Sequence, residues 1–433
     1  MKNSTKIICL LILVSGSLNA QQERGIIGSN NWLNIWTEFM PNKVDYKENT
    51  HILSGNITED TVLYKKYTYL LLGHVFVTNN AILSIEPGTV IMGDSKSKAT
   101  LTITAGAGII AEGTITDPIV FTSNNMTKKA GDWGGIIVLG EGYTKTMGEN
   151  SVNSLYADLD TSNYKDSHSV GETPKNNSGF ISYMRIEYAG GTSQNSQVSN
   201  ALLLAGVGAK TSINNVMVSY SAGNSVSVMG GDVNMEHMVS YKAKGNDYNF
   251  SDGATCTIYN SLAVRAPYVS STDSRSINVV SYDTAHEVDP TKKETFVVAE
   301  NMTLLTDTEN VEHDIELGLI RESIYVGDHT NFRMERSVIS GFNNAIMLDE
   351  NIKINDASLS RIQLKNIYFN NCSKNISSKF KDDNEDLENW YGNPSFFNVY
   401  SKTNHSELFI DTNTSKKPDY RLRIDRILAM NKG

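Results

Sequence analysis

Residues 75–140 read VFVTNNAILSIEPGTVIMGD, SKSKATLTITAGAGIIAEGTITDPIVFTSNN and MTKKAGDWGGIIVLG. Short runs rich in β-branched residues alternate with tight turns. Residues 82–91 give one strand, a Pro-Gly corner and a second strand. Leu101-Thr102-Ile103, then 105–111, repeat that plan, and Ile119-Val120-Phe121 and Ile136-Ile137-Val138-Leu139 follow. A unit of about twenty residues with this pattern cannot bury its own apolar side chains and must stack on its neighbours. The reading is an all-β chain, a right-handed parallel β-helix with about 21 residues per coil. Gly88, Gly93, Gly106, Gly108 and Gly113 fall at its corners, where a positive φ or a close backbone approach is expected. Glu86, just before Pro87-Gly88, reads as turn chemistry.

Composition agrees. The 433 residues carry 32 Gly but only 8 Pro, the balance expected of many turns joining short strands. Asp and Glu number 48 against 38 Lys and Arg, a net charge of −10. That charge argues against nucleic acid or an anionic membrane as partner, since both need a basic footprint.

The first twenty residues read as a secretory signal. Lys2 and Lys6 precede an apolar core from Ile7 to Val14, and a small-residue run ends at Ala20. The core is too short to span a bilayer, and no other stretch is long enough to do so. Cys9 lies inside the core rather than at the cut, so a lipid anchor is not indicated. The remaining cysteines, Cys256 and Cys372, are 116 residues apart in sequence. At ~4.8 Å per coil that is roughly 25 Å, beyond disulfide reach, so two separate reduced thiols are expected.

Residues 21–50 hold Trp32, Trp36, Phe39 and Tyr46 and read as a cap over the first coil, with Trp32 and Trp36 the candidates for a sugar-stacking platform. The solenoid is assigned to 51–375. At 141–177 the apolar rhythm stops, and a long loop carries Asp158, Asp160, Asp166, His168 and Glu172. Residues 376–433 read as a C-terminal cap or tail. The clearest repeat is Val218-Ser219-Tyr220, Val239-Ser240-Tyr241 and Val280-Ser281-Tyr282, with Leu262-Ala263-Val264 as the coil between the last two. Strand parity places Val216, Val218 and Tyr220 inward and Met217 and Ser219 outward. It makes His237 core-facing with Val239 and Tyr241, and turns Arg185 and Glu187 outward. Asp247 and Asp252 sit in the polar turn GNDYNFSDG and could supply oxygen ligands to Ca2+, although Asx-turn chemistry explains them as well.

The runs SIEPGTVIMGD, AGAGIIAEGTITDPIVFTSN, GDWGGIIVLG and YMRIEYAGG, together with the entry segment WLNIWTEFMP, resemble a family of secreted or surface-exposed β-helix proteins common in Bacteroidota. The resemblance spans roughly residues 30–285. It implies a right-handed parallel β-helix in the cell envelope, and no assigned reaction. The resemblance implies acidic and aromatic residues after the VSYS strand and a denser Asp cluster in the following coil; this chain departs from both, at 221–228 and 245–249. Some members of that family end in a type IX secretion sandwich, for which the roughly fifty residues after the last coil are too few.

Glycoside hydrolysis needs two carboxylates within about 5 to 10 Å, and lyase chemistry a base supported by a cation or Arg. A search of outward positions around Arg185, Glu187, Asp232, Asp247 and Asp252 finds no acidic ladder. The sequence contains no GxSxG, HExxH, CxxC or phosphate-loop pattern. The functional expectation is therefore an exported, non-catalytic envelope protein, periplasmic, outer-membrane-associated or extracellular, presenting a long surface to a glycan or a protein, with no cofactor. The alternative is a polysaccharide-active enzyme using Glu187, Arg185 and Asp158.

Overall fold

The computed structural model describes residues 24–142, 176–192, 200–281, 293–379 and 384–423. The signal segment, Asp158 and most of the 141–177 loop lie outside them. All but two of the described strands build one 29-stranded sheet in which every pairing is parallel, wound as a right-handed β-helix with three faces. One coil shows the plan. Residues 212–214 lie on face A, 216–219 on face B, and Asn224–Met229 on face C. The next coil follows with Asp232–Glu236 on A, Val239–Tyr241 on B and Tyr248–Ser251 on C.

Alternate side chains point into the coil and form one continuous core, for example Ile213, Val216, Val218, Val226 and Val228. The corner between A and B is a single residue in the left-handed region: Tyr183, Asn215, His237, Asn260, Asn301, Arg336 and Asn366, with φ between 46° and 56°. Asparagine takes four of these seven places because its short amide tolerates that conformation. Gly88 and Gly106 do have positive φ. Gly93 does not; a Cβ there would meet the Trp133 ring at 2.5 Å.

The coil length departs from a constant 21. Met217 pairs with Val239, a step of 22, and Val239 with Leu262, a step of 23. Later steps lengthen to 41 from Leu262 to Thr303 and 35 from Thr303 to Val338. The consequence is sharp because strand faces alternate. The two VSY triplets are 21 apart but the coil advances 22, so Val218 lies beside Ser240 rather than Val239. One residue of slip exchanges inside for outside. Met238 and Ser240 point inward, while Val239 and Tyr241 point out. The third triplet is not a repeat at all, because Val280 and Ser281 follow Ile277–Val279 on face C. Tyr220 is at the B–C corner with φ 55°, stacked on Tyr188 at 5.5 Å, and not in the core. His237 is likewise a corner residue.

The terminal segments also differ from expectation. Residues 24–50 do not cap the first coil. They run along the outside of face B as a strap, from the late coils back to the first. Arg24 Nε donates to Asn366 Oδ1 at 2.7 Å, and Gly25 N donates to Arg336 O at 2.7 Å. Ile27 is gripped by Asn260, Trp32 lies 4.5 Å from the His237 ring, and Trp36 meets Tyr183 edge-on at 5.9 Å. Thr50 N finally bonds Thr68 O at 2.8 Å as the chain enters the first strand. After the last face-B strand, Val399–Ser401, a hairpin of Phe409–Asp411 and Asp419–Leu422 folds onto the same surface. Together, Ile26, Leu33, Trp36 and Phe39 from the strap and Leu408, Phe409, Tyr420 and Leu422 from the hairpin cover the outward Met217, Val239, Tyr241, Leu262, Val264, Leu305, Val338 and Tyr368. Each large apolar side chain so buried contributes about 1.5–3 kcal/mol. The actual end cap is the helix Asn384–Tyr391, whose Leu387 and Tyr391 close the core at the last coils.

Both thiols, Cys256 and Cys372, are free and buried, as their spacing implied. No helix among the described residues is long and apolar enough to cross a membrane.

Candidate ligand-binding face

Arg185 and Glu187 do point outward from the coil, but the strap lies over them. Glu187 is 1% exposed. Tyr46 of the strap donates its hydroxyl to Glu187 Oε1 at 3.3 Å and accepts from Arg185 Nη2 at 3.0 Å. Arg185 Nε is 3.5 Å from the carboxylate. Burial pushes the Glu187 carboxyl up, and the guanidinium opposes it. This is a structural ion pair holding the strap, closed to substrate.

Asp247 is fully buried at the B–C corner. Arg265 Nη1 reaches its Oδ2 at 2.9 Å and Ser240 donates to Oδ1 at 2.5 Å. Arg265 also donates to the carbonyls of Gly245 and Arg275. Asp252 is at the opposite end of the same strand, 2% exposed, and accepts from Ser251 Oγ at 2.6 Å. The two acids therefore do not share a site. Among the described residues no three His, Cys, Asp or Glu side chains come together as a metal-binding group. Trp36 is fully buried, and Trp32 is half-buried against it at 6.3 Å. Neither presents a free ring for a sugar.

The strap leaves two outer sides uncovered: face A, which turns out the exposed Asn234, Glu236, Arg333 and Lys365, and face C, which is lined by amides and hydroxyls. Strand register sets two columns of outward side chains on face C. The first is Asn200, Asn224, Asn246, Arg275, Glu322 and Asn344. The second includes Ser227, Asn249, Asn278 and Tyr325. Each column is tied rung to rung. Asn224 Nδ2 donates to Asn200 Oδ1 at 3.0 Å, and Asn278 Nδ2 to Asn249 Oδ1 at 2.8 Å. Backbone amides join in: Asn246 N donates to Asn224 Oδ1, and Arg275 N to Asn246 Oδ1, each at 2.8 Å. The amide oxygens of Asn200, Asn224, Asn246 and Asn249 each accept from the next rung, which sets their orientation. Asn224, Asn246, Asn249, Asn278 and Tyr325 keep partial exposure. At ~4.8 Å per rung the strip from Asn200 to Glu322 is roughly 19 Å long.

At its later end Arg275 pairs with Glu322 at 2.6 Å and stands 4.8 Å from the Tyr325 ring centre. Lys379 is also 4.8 Å from that ring, and the Tyr325 hydroxyl donates to Asp349. Burial first, then the Asp349 carboxylate, pushes the phenol pKa up. Both acids at this end are engaged, Glu322 with a guanidinium and Asp349 with a phenol.

A family described as the pectate-lyase-like β-helix domain matches residues 55–412, most of the chain. The chain belongs to this pectate-lyase-like β-helix family. No curated protein matches it. Among solved structures, PfbA, a surface adhesin of Streptococcus pneumoniae, is similar over 76% of this chain and 81% of its own, with 10% identity and a TM-score of 0.26. The family match ends at 412, inside the described C-terminal segment. As a pectate-lyase-like β-helix, the chain offers a rigid backbone whose outward side chains recur at the strand spacing. Face C fills those places with amide and hydroxyl groups suited to hydrogen-bond a long polar molecule. Sequence reasoning read Asn246 and Asn249 as part of a polar turn. The signal was present in Asn224 and Asn246, whose spacing of 22 equals one coil step.

Proposed function

We propose that this chain is an exported, non-catalytic envelope protein that binds an extended glycan along the outer side of face C. The observation that carries the reading is the double column of pre-oriented side chains whose partly exposed members are Asn224, Asn246, Asn249, Asn278 and Tyr325. Their amides are held by rung-to-rung hydrogen bonds, so little side-chain freedom is lost on binding. Export rests on the Lys2 to Ala20 segment. The earlier candidates Arg185, Glu187, Asp247 and Asp252 are spent on internal ion pairs and turns, which favours binding over catalysis.

The test incubates the protein with neutral and acidic polysaccharides and scores both retention on the polymer and release of new sugar ends. Retention without new ends is expected, and Asn249→Ala with Asn278→Ala should weaken it at least tenfold, about 1.4 kcal/mol. New ends that vanish on altering one surface acid would replace this reading with the enzymatic one. Retention unaffected by the double substitution would move the site off face C.

A further inference from the structure

The two ends of the solenoid are unlike. The late end is closed by the helix Asn384–Tyr391. At the early end, His51–Ile57 pairs only with Thr68–Val77, and Thr61–Leu63 only with Ile82–Ile85. Among the described residues no strand meets their other edge. Leu63 O accepts from Glu86 N at 2.9 Å, so Leu63 turns its backbone groups toward the second coil. Val62, one residue earlier, turns its own toward the free edge. Natural edges are blunted by shortness, bulges, lysine or proline; Thr61–Leu63 is short and His51–Ile57 is irregular at Ser54/Gly55, but neither strand contains lysine or proline. Exposed apolar side chains surround this end: Ile52 at 60%, Val62 and Tyr64 at 44%, Leu72 at 42% and Ile82 at 39%.

We propose that this end is an interface between two copies of the chain, joined first coil to first coil about a two-fold axis. The charge order along the edge selects a second copy as occupant. Glu59-Asp60 precede Thr61–Leu63, and Lys65-Lys66 follow it. A two-fold axis across the strand runs its mate antiparallel and reverses that order. Directly opposed residues must share a face, so Thr61, Val62 or Leu63 meets its own mate, and two of these three registers pair opposite charges. If Val62 meets its own mate, Glu59 lies opposite Lys65. If Leu63 does, Asp60 lies opposite Lys66 and Val62 opposite Tyr64. Both place acid against lysine on each side of the axis. Lys66 has no carboxylate within ion-pair reach among the described residues, resting 4.8 Å from the Tyr67 ring. Lys65 holds Asp117 in a pair that is about half-exposed on both sides. The same axis passes the bulge at Ser54/Gly55 and sets 51–54 against 55–57 of the mate. Head-to-tail stacking is blocked by the capping helix, so the contact closes as a dimer instead of growing into a fibre.

Sedimentation of the full chain over a wide concentration range tests this. Wild type should be a reversible dimer with roughly twice the monomer's length in solution scattering. Lys65→Glu with Lys66→Glu puts acid against acid, and Glu59→Lys with Asp60→Lys puts base against base. Each pair should be monomeric alone, and an equimolar mixture should form the heterodimer. Val62→Pro, which removes only the amide facing the free edge, should be monomeric while keeping the wild-type spectrum. A monomeric wild type would overturn the proposal. So would a dimer indifferent to both charge sets, or folded variants that fail to pair when mixed.

Discussion

Asn260 is the place to test whether the strap is held as described. Its corner φ is 47°. Its amide oxygen accepts from Ile27 N at 2.8 Å, and its amide nitrogen donates to Ile27 O at 3.1 Å. Two neutral hydrogen bonds at about 1 kcal/mol each make ~2 kcal/mol of grip on the strap, or about thirtyfold in a local opening equilibrium. Asn260→Ala and Asn260→Gly both remove the grip. They differ in the corner, where alanine carries a left-handed penalty of about 1–2 kcal/mol that glycine escapes. Hydrogen exchange should therefore show both variants losing about thirtyfold protection over residues 25–36. Global unfolding by denaturant should rank wild type, then glycine, then alanine. Equal strap protection in all three would refute the clamp. Protection lost throughout the coils in the glycine variant would show that the strap is not a separable layer.

Other expectations follow from buried polar groups. Arg265→Ala leaves Asp247 charged and unpaired in a fully buried place and should cost about 3–5 kcal/mol by chemical denaturation, while Arg265→Met with Asp247→Leu should recover most of it. His405 is half-buried with its Nε2 shielded beside Gly341, and this desolvation lowers its pKa from 6.5 to about 4. The folded state keeps this imidazole neutral, so below pH 6.5 the unfolded chain binds the extra proton. Stability is full above pH 6.5 and falls toward pH 4 by ~3 kcal/mol. Melting curves of His405→Phe should lose that slope. Burial pushes the Cys372 thiol up to about 11 and raises Cys256 further. Neither should react with a disulfide reagent until the chain is denatured.

The repeat of short strands and Gly corners made the solenoid legible, because the same apolar step must recur wherever coils stack. The reach of each face was not legible. Parity located Arg185, Glu187 and Met217 on the outside correctly, yet could not show that residues 24–50 return to cover them. That contact joins residues more than a hundred positions apart, and no local pattern encodes it. The misplacement of Val239, Tyr241 and His237 had a different origin. A coil step of 22 hid behind a triplet spacing of 21, and period-two alternation turns one residue of error into the opposite face. Face C escaped notice because asparagine serves corners and open faces alike, and only register separates Asn260 from Asn249.

The strap has a bearing on timing. A solenoid of this kind can in principle settle coil by coil as the chain is delivered, each turn leaning only on the last. Here the earliest described residues take their places last. Arg24 and Gly25 have no seat until Asn366, Asn301 and Arg336 are in position, some 280 to 340 residues later in the chain. Closure of the long loop between them must precede the reward. Until then face B shows a run of bare apolar side chains from Met217 to Tyr368. A chain interrupted before Asn366 keeps its leading segment unseated, so the strap acts as a proofreading mark that only a finished molecule can make.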